Sequence, residues 1–345
     1  MKKINVALIG YGFSGRVFHM NTLAINEKFN MVKIMTRNKE TQKDIKKTYP
    51  KVQIITTFQD AVNDPLIDLI VIATPNNVHY EYTKTALMNN KHVVCEKPFL
   101  EKTVDAIELF ELAESKKLLL RIFHNRKYDG DIITTKELLE QKDFGKIVSF
   151  NTRFDRLIPS IGENWRFKKT DMAGIFYDLA PHLVHHCVAL FGMPSKVENQ
   201  LFFDRLDAAV DDHFEMRLTY DSGLACNLGA ETLERNPKPR IEIIGTKASY
   251  VKYGFDSPDT VDSESSELYQ PEGLRSELIN NNLEAFKIPI YVGRHYEFYD
   301  KVALDINTGN LVDEDKELGL SVVLIMEKAV EAYEKNKAVT IKKIW

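Results

Sequence analysis

The chain has 345 residues, of which 44% are hydrophobic and 28% are charged, and its formal net charge is −4. This composition is typical of a soluble globular protein long enough for two domains, and the charge argues against nucleic acid or an anionic membrane as a partner. No apolar run reaches the ~18 residues of a membrane span, and the early glycines argue against a signal peptide. Three distant cysteines without C-x-x-C spacing predict reduced thiols in the cytoplasm.

A glycine-rich turn follows the first predicted strand. The apolar residues 6–9 lead into GYGFSG, with glycines at positions 10, 12 and 15, and a predicted helix covers about 17–26. In a dinucleotide fingerprint, the first glycine allows a tight turn, the second lets the backbone approach a pyrophosphate, and the third lets the helix pack closely. The helix N-terminus then offers N–H groups to the phosphates. The pattern predicts a dinucleotide site, the alternative being a structural turn in another α/β protein.

The type of cofactor depends on the residues that follow the second predicted strand. That strand covers residues 31–35, and Thr36, Arg37 and Asn38 follow it. An NAD site is expected to carry an acidic residue about 20 residues after the glycines, where it holds the ribose 2′-OH. No acidic residue stands at this junction, and the forked guanidinium of Arg37 suits a 2′-phosphate. The sequence therefore favours NADP over NAD, although a solvated surface arginine would give the same pattern.

Strands and helices alternate through about the first 120 residues. Predicted strands at 54–55, 66–73, 92–95 and 118–123 alternate with predicted helices at 58–62, 76–90 and 103–116. The alternation predicts a Rossmann domain of the α/β class over residues 1–123, with a doubly wound parallel sheet. Ligands of such sheets bind beyond the carboxyl ends of the strands. Polar clusters follow those ends at the glycine loop, Thr74-Pro75-Asn76-Asn77, Glu96-Lys97-Pro98 and His124-Asn125-Arg126.

The pattern changes after residue 123. Predicted helices at 132–141, 174–191 and 316–335 accompany alternating segments at 148–154, 196–203, 213–220, 225–231 and 240–244, and the polar stretch 256–271 indicates a loop. These segments predict an α+β domain, residues 124–345, with a largely antiparallel sheet. Helices on one face leave the other open, which favours a homodimer or homotetramer. Tyr296 and Tyr299 are expected to be core aromatics.

Three residues are candidates for proton transfer. Lys97 follows a strand where a nicotinamide is expected, and an ammonium there can polarise or protonate a substrate oxygen. Asp178 and His182 are four residues apart, so on a helix they share a face, and the carboxylate can orient an imidazole that exchanges a hydroxyl proton. Pro181 favours a helix that begins nearer to Pro181, which weakens the argument from spacing. The alternatives are a surface lysine paired with Glu96 and a core histidine.

The histidine pattern also raises the question of a metal. His185 and His186 extend it to H-x-x-H-H beside Cys187. The spacing differs from H-E-x-x-H, and no carboxylate occupies the position of the general base. We therefore predict no metal, and a metal hydrolase stays the least favoured alternative.

The order of four motifs resembles the glucose–fructose oxidoreductase and inositol dehydrogenase family, Gfo/Idh/MocA. The motifs are GYGFSG, ATPNNVH, EKP and DLAPH, and the similarity covers essentially the whole chain. Phe154-Asp155-Arg156 and Trp165-Arg166 resemble the branch related to scyllo-inositol dehydrogenases. The resemblance implies a nicotinamide cofactor in the first domain, a sugar or polyol substrate at the domain cleft, and catalytic roles for Lys97, Asp178 and His182. His185 stands where related sequences often have Asp, so substrate contacts there are expected to differ.

The prediction is an NADP-preferring dehydrogenase or reductase acting on a polyol, inositol or sugar hydroxyl or its ketone. Its cofactor-binding residues are Gly10, Gly12, Phe13, Ser14, Gly15, Thr36, Arg37, Thr74, Pro75, Asn76, His79, Glu96, Lys97 and Asn125. Its substrate-binding residues are Lys97, Arg126, Asp155, Trp165, Arg166 and His182. The alternative from another class is a non-catalytic NADP sensor on the same fold, against which the intact proton-transfer residues argue.

Overall fold

The computed structural model describes residues 2–158, 168–254, 268–269, 275–311 and 314–345. The chain divides into two compact units, the first formed by Met1–His124 with Tyr296–Leu320 and the second by Asn125–His295 with Ser321–Trp345. The division lies one residue from the boundary predicted after residue 123, but a late segment groups with the first unit. Most of the predicted loop 256–271, together with Trp165 and Arg166, lies outside the described residues.

A six-stranded parallel sheet forms the centre of the first unit. Its strands are β1 Ile4–Ile9, β2 Phe29–Met35, β3 Gln53–Ile55, β4 Leu69–Ile72, β5 His92–Cys95 and β6 Leu120–Ile122. They lie in the order β3-β2-β1-β4-β5-β6, and every neighbouring pair is parallel. All four residues of β4 are fully buried, as the apolar run predicts for a strand covered on both faces.

Helices connect these strands. They are a π-helical turn Gly15–Met20, α1 Asn21–Ile25, α2 Lys39–Thr48, α3 Gln59–Val62, a 3₁₀ turn Asn76–Val78, α4 His79–Met88 and α5 Thr103–Ser115. The strand order is that of the dinucleotide-binding fold, which confirms the predicted class. Because β1, β4 and β5 are adjacent, the glycine loop, the Thr74 loop and Lys97 follow neighbouring strands at one edge of the sheet.

The second unit contains a nine-stranded mixed sheet. Its elements are a 3₁₀ turn Asn125–Tyr128, α6 Gly130–Gln141, β7 Ile147–Arg153, α7 Gly174–Phe191, β8 Lys196–Phe202, β9 His213–Thr219, β10 Ala225–Glu231, β11 Ile241–Gly245, β12 Ala248–Lys252, β13 Leu268–Tyr269, β14 Ser276–Asn280, β15 Ala285–Lys287, β16 Ile290–Tyr291 and β17 Val339–Thr340. The order is β15-β14-β12-β11-β7-β10-β9-β8-β17, and β13 pairs with β16. The sheet is antiparallel except where β7 meets β10, so the predicted, largely antiparallel sheet is confirmed.

Helix α7 covers one face of this sheet. Phe176 of α7 packs edge-on against Phe214 of β9, with the ring centroids 5.7 Å apart. Met216 is also buried, whereas the alternate residues of β9 face away from α7 and are polar. On that side, Arg153 donates to the Glu215 carboxylate at 2.8 Å. The predicted contact of this face with a second subunit stays a prediction.

A late segment of the chain completes the first unit. It contains α8, Tyr296–Thr308, and the start of α9, Glu314–Lys335. Phe298 packs edge-on against Phe123 with centroids 4.6 Å apart, and Arg121, which is 1% exposed, donates to Asp305 at 2.7 Å. Tyr299 is buried, as expected of a core aromatic. The sequence analysis placed this segment in the second domain, because no local sequence pattern separates it from the residues before and after it.

Candidate active site

The glycine loop after β1 fits a dinucleotide. Gly10 has a φ of +101°, and a side chain added there would overlap the carbonyl of Ala73. A side chain at Gly15 would overlap the carbonyl of Gly10. Gly12 differs, because nothing lies within 4 Å of the position that a Cβ would take, so the backbone there is open to an incoming group. The first and third glycines therefore build the turn, and the second leaves the space that a pyrophosphate needs.

The lysine candidate is held through the residue before it. Glu96 is 7% exposed, and one carboxylate oxygen accepts the backbone N–H of Lys97 at 3.0 Å. The other oxygen accepts a hydrogen bond from the Ser14 hydroxyl and lies 3.1 Å from Nε2 of His19. Burial raises the pKa of Glu96, but the contacts with His19, Lys97 and Ser14 outweigh it and hold the pKa below its ordinary value. An ionised carboxylate therefore joins the glycine loop to the Lys97 loop.

His79 contacts the loops that follow β4 and β5. Its Nδ1 lies 3.0 Å from the Pro98 carbonyl, and its Nε2 lies 3.1 Å from the Thr74 carbonyl. The side chain is fully buried, and that burial lowers the pKa of the ring, which is therefore neutral. The structure thus places His79 as a bridge between two loops, and its contact with the cofactor stays a prediction. Asn76 and Asn125, predicted to bind cofactor, are also buried.

The junction after β2 presents Arg37 at the surface. Asn38 caps α2 by accepting the N–H of Thr41 at 3.0 Å, which ends the strand and starts the helix. The Arg37 side chain is exposed, and its Nε donates to the Thr56 carbonyl at 3.2 Å. This bond links Arg37 to the residue that follows β3. Glu40, the next acidic residue, pairs with Lys43 at 2.9 Å on α2.

Asp178 and His182 lie on one continuous helix. Helix α7 runs from Gly174 to Phe191, the bounds predicted from the sequence, so the alternative start nearer to Pro181 is wrong. Pro181 removes one N–H from the helix, a cost that the buried packing of α7 offsets. The spacing of four residues therefore does place Asp178 and His182 on one face. Asp178 is half-buried, and His182 is 5% exposed.

A buried carboxylate anchors the start of α7. Asp211 accepts the N–H of Phe176 at 2.6 Å, and its backbone carbonyl accepts the N–H of Ile175 at 3.1 Å. These bonds satisfy N–H groups of the first turn, which have no partner within the helix. Burial raises the pKa of Asp211 to about 7, partly opposed by the Phe176 N–H and reinforced by the charge of Asp212.

The raised pKa predicts a pH-dependent stability. Between about pH 4 and pH 7 the folded protein holds a proton on Asp211 that the unfolded chain has released, so the free energy of unfolding falls as pH rises through this window. Asp211→Asn keeps an acceptor for the Phe176 N–H but cannot titrate. We expect the fall in the free energy of unfolding between about pH 4 and pH 7 to be about 2 to 4 kcal/mol smaller in this variant. Urea titrations at a series of pH values measure it. Asp221→Asn, at an exposed turn, is the control. Parallel wild-type and Asp211→Asn profiles would contradict the prediction.

Arg126 is held in place by a buried charge cluster. Its guanidinium donates to Asp129 at 2.8 Å and lies 4.8 Å from the ring centroid of Phe154. Asp129 is also 2.7 Å from Nε2 of His295; burial raises the pKa of this carboxyl, but Arg126 and His295 outweigh it and hold the pKa well below the ordinary range. His186 lies 3.2 Å from the Arg126 carbonyl, and burial lowers its pKa to about 4, so this ring is neutral.

Asp155 is engaged in the sheet. Its carboxylate accepts Nε–H of Arg153 at 2.7 Å and the backbone N–H of Glu231 at 3.2 Å. Asp155 thus lies just after β7, and its contact with substrate stays a prediction. Among the described residues, no three His, Cys, Asp or Glu side chains gather as metal ligands would, and no helix combines the length and apolarity needed to cross a membrane. The cysteines Cys95, Cys187 and Cys226 are buried and free.

Sequence reasoning missed three residues that support the candidate residues, each within its own unit. They are His19 and Tyr299, which extend the Glu96 contacts, and Asp211 at the start of α7. The sequence contains a faint signal for His19, because a polar residue on the inward side of the first helix needs a partner. The identity of that partner depends on packing between segments 280 residues apart, between His19 and Tyr299.

Both parts of the chain match models of one protein family. Residues 4–124 match the model of the oxidoreductase family with an NAD-binding Rossmann fold, GFO_IDH_MocA, and residues 132–251 match the GFO/IDH/MocA C-terminal domain. The chain is 29% identical over 347 residues to scyllo-inositol 2-dehydrogenase (NADP(+)) IolW of Bacillus subtilis, covering 98% of this chain and 96% of the relative. It is 33% identical to the uncharacterized oxidoreductase C115.03 of Schizosaccharomyces pombe, covering 99% of this chain and 100% of the relative.

A solved structure extends the similarity to the fold. The structure described as an oxidoreductase, yvaA from Bacillus subtilis, superposes with a TM-score of 0.92 at 29% identity and covers 99% of each chain. Levoglucosan dehydrogenase of Pseudarthrobacter phenanthrenivorans is 25% identical over 57% of this chain and 53% of its own length. The chain therefore belongs to the Gfo/Idh/MocA family of oxidoreductases and is an NAD(P)-dependent dehydrogenase or reductase acting on a CH–OH group.

Proposed function

We propose that this protein transfers hydride between NADP(H) and a hydroxyl of a polyol, inositol or sugar or its ketone. The observation that carries the proposal is that the open Gly12 backbone follows β1 and Lys97 follows β5, the two strands on either side of β4 in one parallel sheet. The name of the 29% identical Bacillus relative, an NADP-dependent scyllo-inositol dehydrogenase, supports the cofactor and the substrate class.

The proposed chemistry assigns one task to each residue. Bound NADP(H) supplies the hydride acceptor or donor at its nicotinamide. His182, oriented by Asp178 one turn earlier on α7, takes the hydroxyl proton in oxidation and returns it in reduction. Lys97 stabilises the negative charge that develops on the substrate oxygen. Gly12 and the backbone around it hold the pyrophosphate, and Arg37 holds the 2′-phosphate.

A substrate screen tests the proposal directly. Inositols, sugars, sugar alcohols and their keto forms are offered to the purified protein, and NADPH absorbance is followed with NADH in parallel. We expect NADP(H)-linked turnover of at least one cyclic or linear polyol or its ketone. Tight NADPH binding without turnover across the panel would instead favour the sensor alternative.

Arg37 is expected to set the cofactor preference. A charge-assisted hydrogen bond is worth about 1.5 to 3 kcal/mol, so Arg37→Asp should weaken NADPH binding by about 10- to 100-fold. The new carboxylate can accept the ribose 2′-OH, so NADH binding should be kept or improved. Equilibrium titration of both cofactors measures the change.

The matched control for this change is Lys43→Asp. Lys43 is exposed on α2 and pairs with Glu40, so its replacement makes the same change of charge on the helix that follows Arg37. We expect its two dissociation constants to stay within about threefold of wild type, in line with the small energies of surface pairs. An Arg37→Asp protein with unaltered NADPH affinity would contradict the NADP assignment.

The compartment and the oligomeric state of the enzyme are also part of the proposal. The free, buried cysteines suit a reducing compartment, and we propose that the protein is cytoplasmic. The polar sheet face opposite α7 supports our proposal of a homodimer or homotetramer, which light scattering of the purified protein tests.

A further inference from the structure

A chain of hydrogen bonds runs beneath the Lys97 loop. The Tyr299 hydroxyl lies 2.6 Å from Nδ1 of His19, and Nε2 of His19 lies 3.1 Å from the Glu96 carboxylate. The same carboxylate accepts hydrogen bonds from Ser14 and from the backbone of Lys97. We name Tyr299, His19 and Glu96 the buried relay. It connects a helix late in the chain with both loops that meet at the carboxyl edge of the parallel sheet.

The chemistry of the buried relay matches donors with acceptors. An ionised carboxylate only accepts hydrogen bonds, so the His19 proton that faces Glu96 sits on Nε2. Nδ1 of the same ring pairs with the Tyr299 hydroxyl. Burial and the charge of Glu96 raise the pKa of Tyr299 well above its usual value, so the hydroxyl keeps its proton. Each side chain of the buried relay is therefore held by the next.

Aromatic side chains enclose His19 and Tyr299. The His19 ring is fully buried and lies against Phe123, with the ring centroids 4.1 Å apart. Tyr299 is itself 5.5 Å from Phe29 and is buried with it. Neither side chain is exposed to a bound ligand, so neither is a candidate for direct contact with substrate. Their effect must pass through Glu96.

We propose that His19 and Tyr299 are positioning residues that orient Glu96, and that Glu96 thereby sets the Lys97 backbone and the glycine loop relative to each other. The inference rests on the proposed catalytic role of Lys97 for its effect on turnover. Its effect on cofactor binding is independent of that role, because Ser14 belongs to the glycine loop. A single carboxylate then couples the affinity for NADPH to the placement of the lysine.

The first test removes the hydroxyl at the far end of the buried relay. We expect Tyr299→Phe to lower kcat about tenfold with a change in substrate KM below about threefold, because misplaced catalytic groups affect the transition state more than substrate binding. The dissociation constant of NADPH, measured by fluorescence without substrate, should rise about threefold. Tyr250→Phe is the matched control, since its hydroxyl is equally buried but lies 3.0 Å from Ser276 in the second unit. It should leave kcat and NADPH affinity unchanged.

The second test separates positioning from simple packing. The amide of Gln reaches as far as Nε2 of histidine and can donate to Glu96, whereas Leu cannot. We expect His19→Gln to keep kcat within about threefold of wild type and His19→Leu to lose at least about tenfold, although thermal melts should show both variants destabilised. Equal losses of kcat in the two variants would assign His19 to packing alone and overturn the inference.

The cofactor titration distinguishes this inference from the proposed function. If no substrate is turned over, the proposed function fails, and the NADPH affinities of Tyr299→Phe, His19→Gln and His19→Leu still decide the inference. Weaker NADPH binding in Tyr299→Phe and His19→Leu, with recovery in His19→Gln, supports it. Affinity equal to that of Tyr250→Phe in all three variants overturns it.

Discussion

Replacing Lys97 by alanine is expected to lower kcat by about 10³-fold while the NADPH dissociation constant stays within about threefold. The ammonium is the group that we propose to stabilise charge on the substrate oxygen, and loss of one such donor typically costs 10²- to 10³-fold or more. Cofactor affinity depends on the glycine loop, and the backbone N–H of residue 97 can still bind Glu96 in the variant. Steady-state kinetics on the best substrate of the screen and fluorescence titration of NADPH measure the two quantities.

A second lysine variant controls for the loss of charge. Lys102 lies five residues further along the chain, is about half exposed and is 3.7 Å from Glu101. Lys102→Ala also removes one lysine ammonium from the first unit and should leave kcat within about twofold, as surface pairs contribute little. Near-normal turnover in Lys97→Ala would rule out the proposed role of the lysine, whereas a large loss of NADPH affinity would make it a cofactor ligand instead.

Replacing His182 by asparagine is expected to lower kcat by about 10²- to 10⁴-fold, the usual contribution of a positioned acid–base group. Asparagine keeps a polar side chain on the buried face of α7 but cannot exchange a proton at neutral pH. Asp178→Asn should cost less, about tenfold, because it removes only the group that orients the imidazole. Turnover in both directions, from alcohol and from ketone, measures the effect.

His213→Asn provides the matched control on the same unit. His213 lies on the face of the sheet away from α7, where its ring is 2.9 Å from Asp204 and 3.4 Å from Glu215, so it also has carboxylate partners. Its replacement should leave kcat unchanged within about twofold. Similar losses in His182→Asn and His213→Asn would show that destabilisation, rather than proton transfer, accounts for the first result.

The parallel sheet could be predicted from sequence because each strand is short, apolar and followed by a polar turn. The predicted strand 92–95 matches β5, His92–Cys95, without adjustment. Strands of the second sheet with weak patterns were missed. All three residues of β15, Ala285–Lys287, are exposed, and β12 ends in the buried Lys252. Their positions depend on pairing with distant strands, a long-range effect that side-chain alternation does not encode.

In the candidate site, too, some features could be predicted from the local sequence, whereas others depend on residues far away in the chain. The roles of Gly10, Gly12 and Gly15 are predicted from local backbone chemistry. Gly10 and Gly15 have no room for a side chain, as a tight turn requires, whereas the contact of Gly12 with a pyrophosphate stays a prediction. The start of α7 did not follow from Pro181, because Asp211, 30 residues further on, supplies the acceptor that fixes the first turn. The polar residues Glu96 and His79 are predicted to contact cofactor, and tertiary packing also gives them partners in loops of the protein itself, which the sequence did not indicate. Which polar group faces a ligand and which supports a loop depends on tertiary packing.

Residues 296–320 belong to the first unit but are synthesised late, which affects how the protein folds during translation. The nascent chain exposes all six strands of the parallel sheet long before α8 is translated, and until then Arg121 lacks Asp305 and His19 lacks Tyr299. Domains usually fold as units during synthesis, N-terminal first. Here the N-terminal unit reaches its final form only after nearly all of the second unit has left the ribosome, so the two units mature almost together.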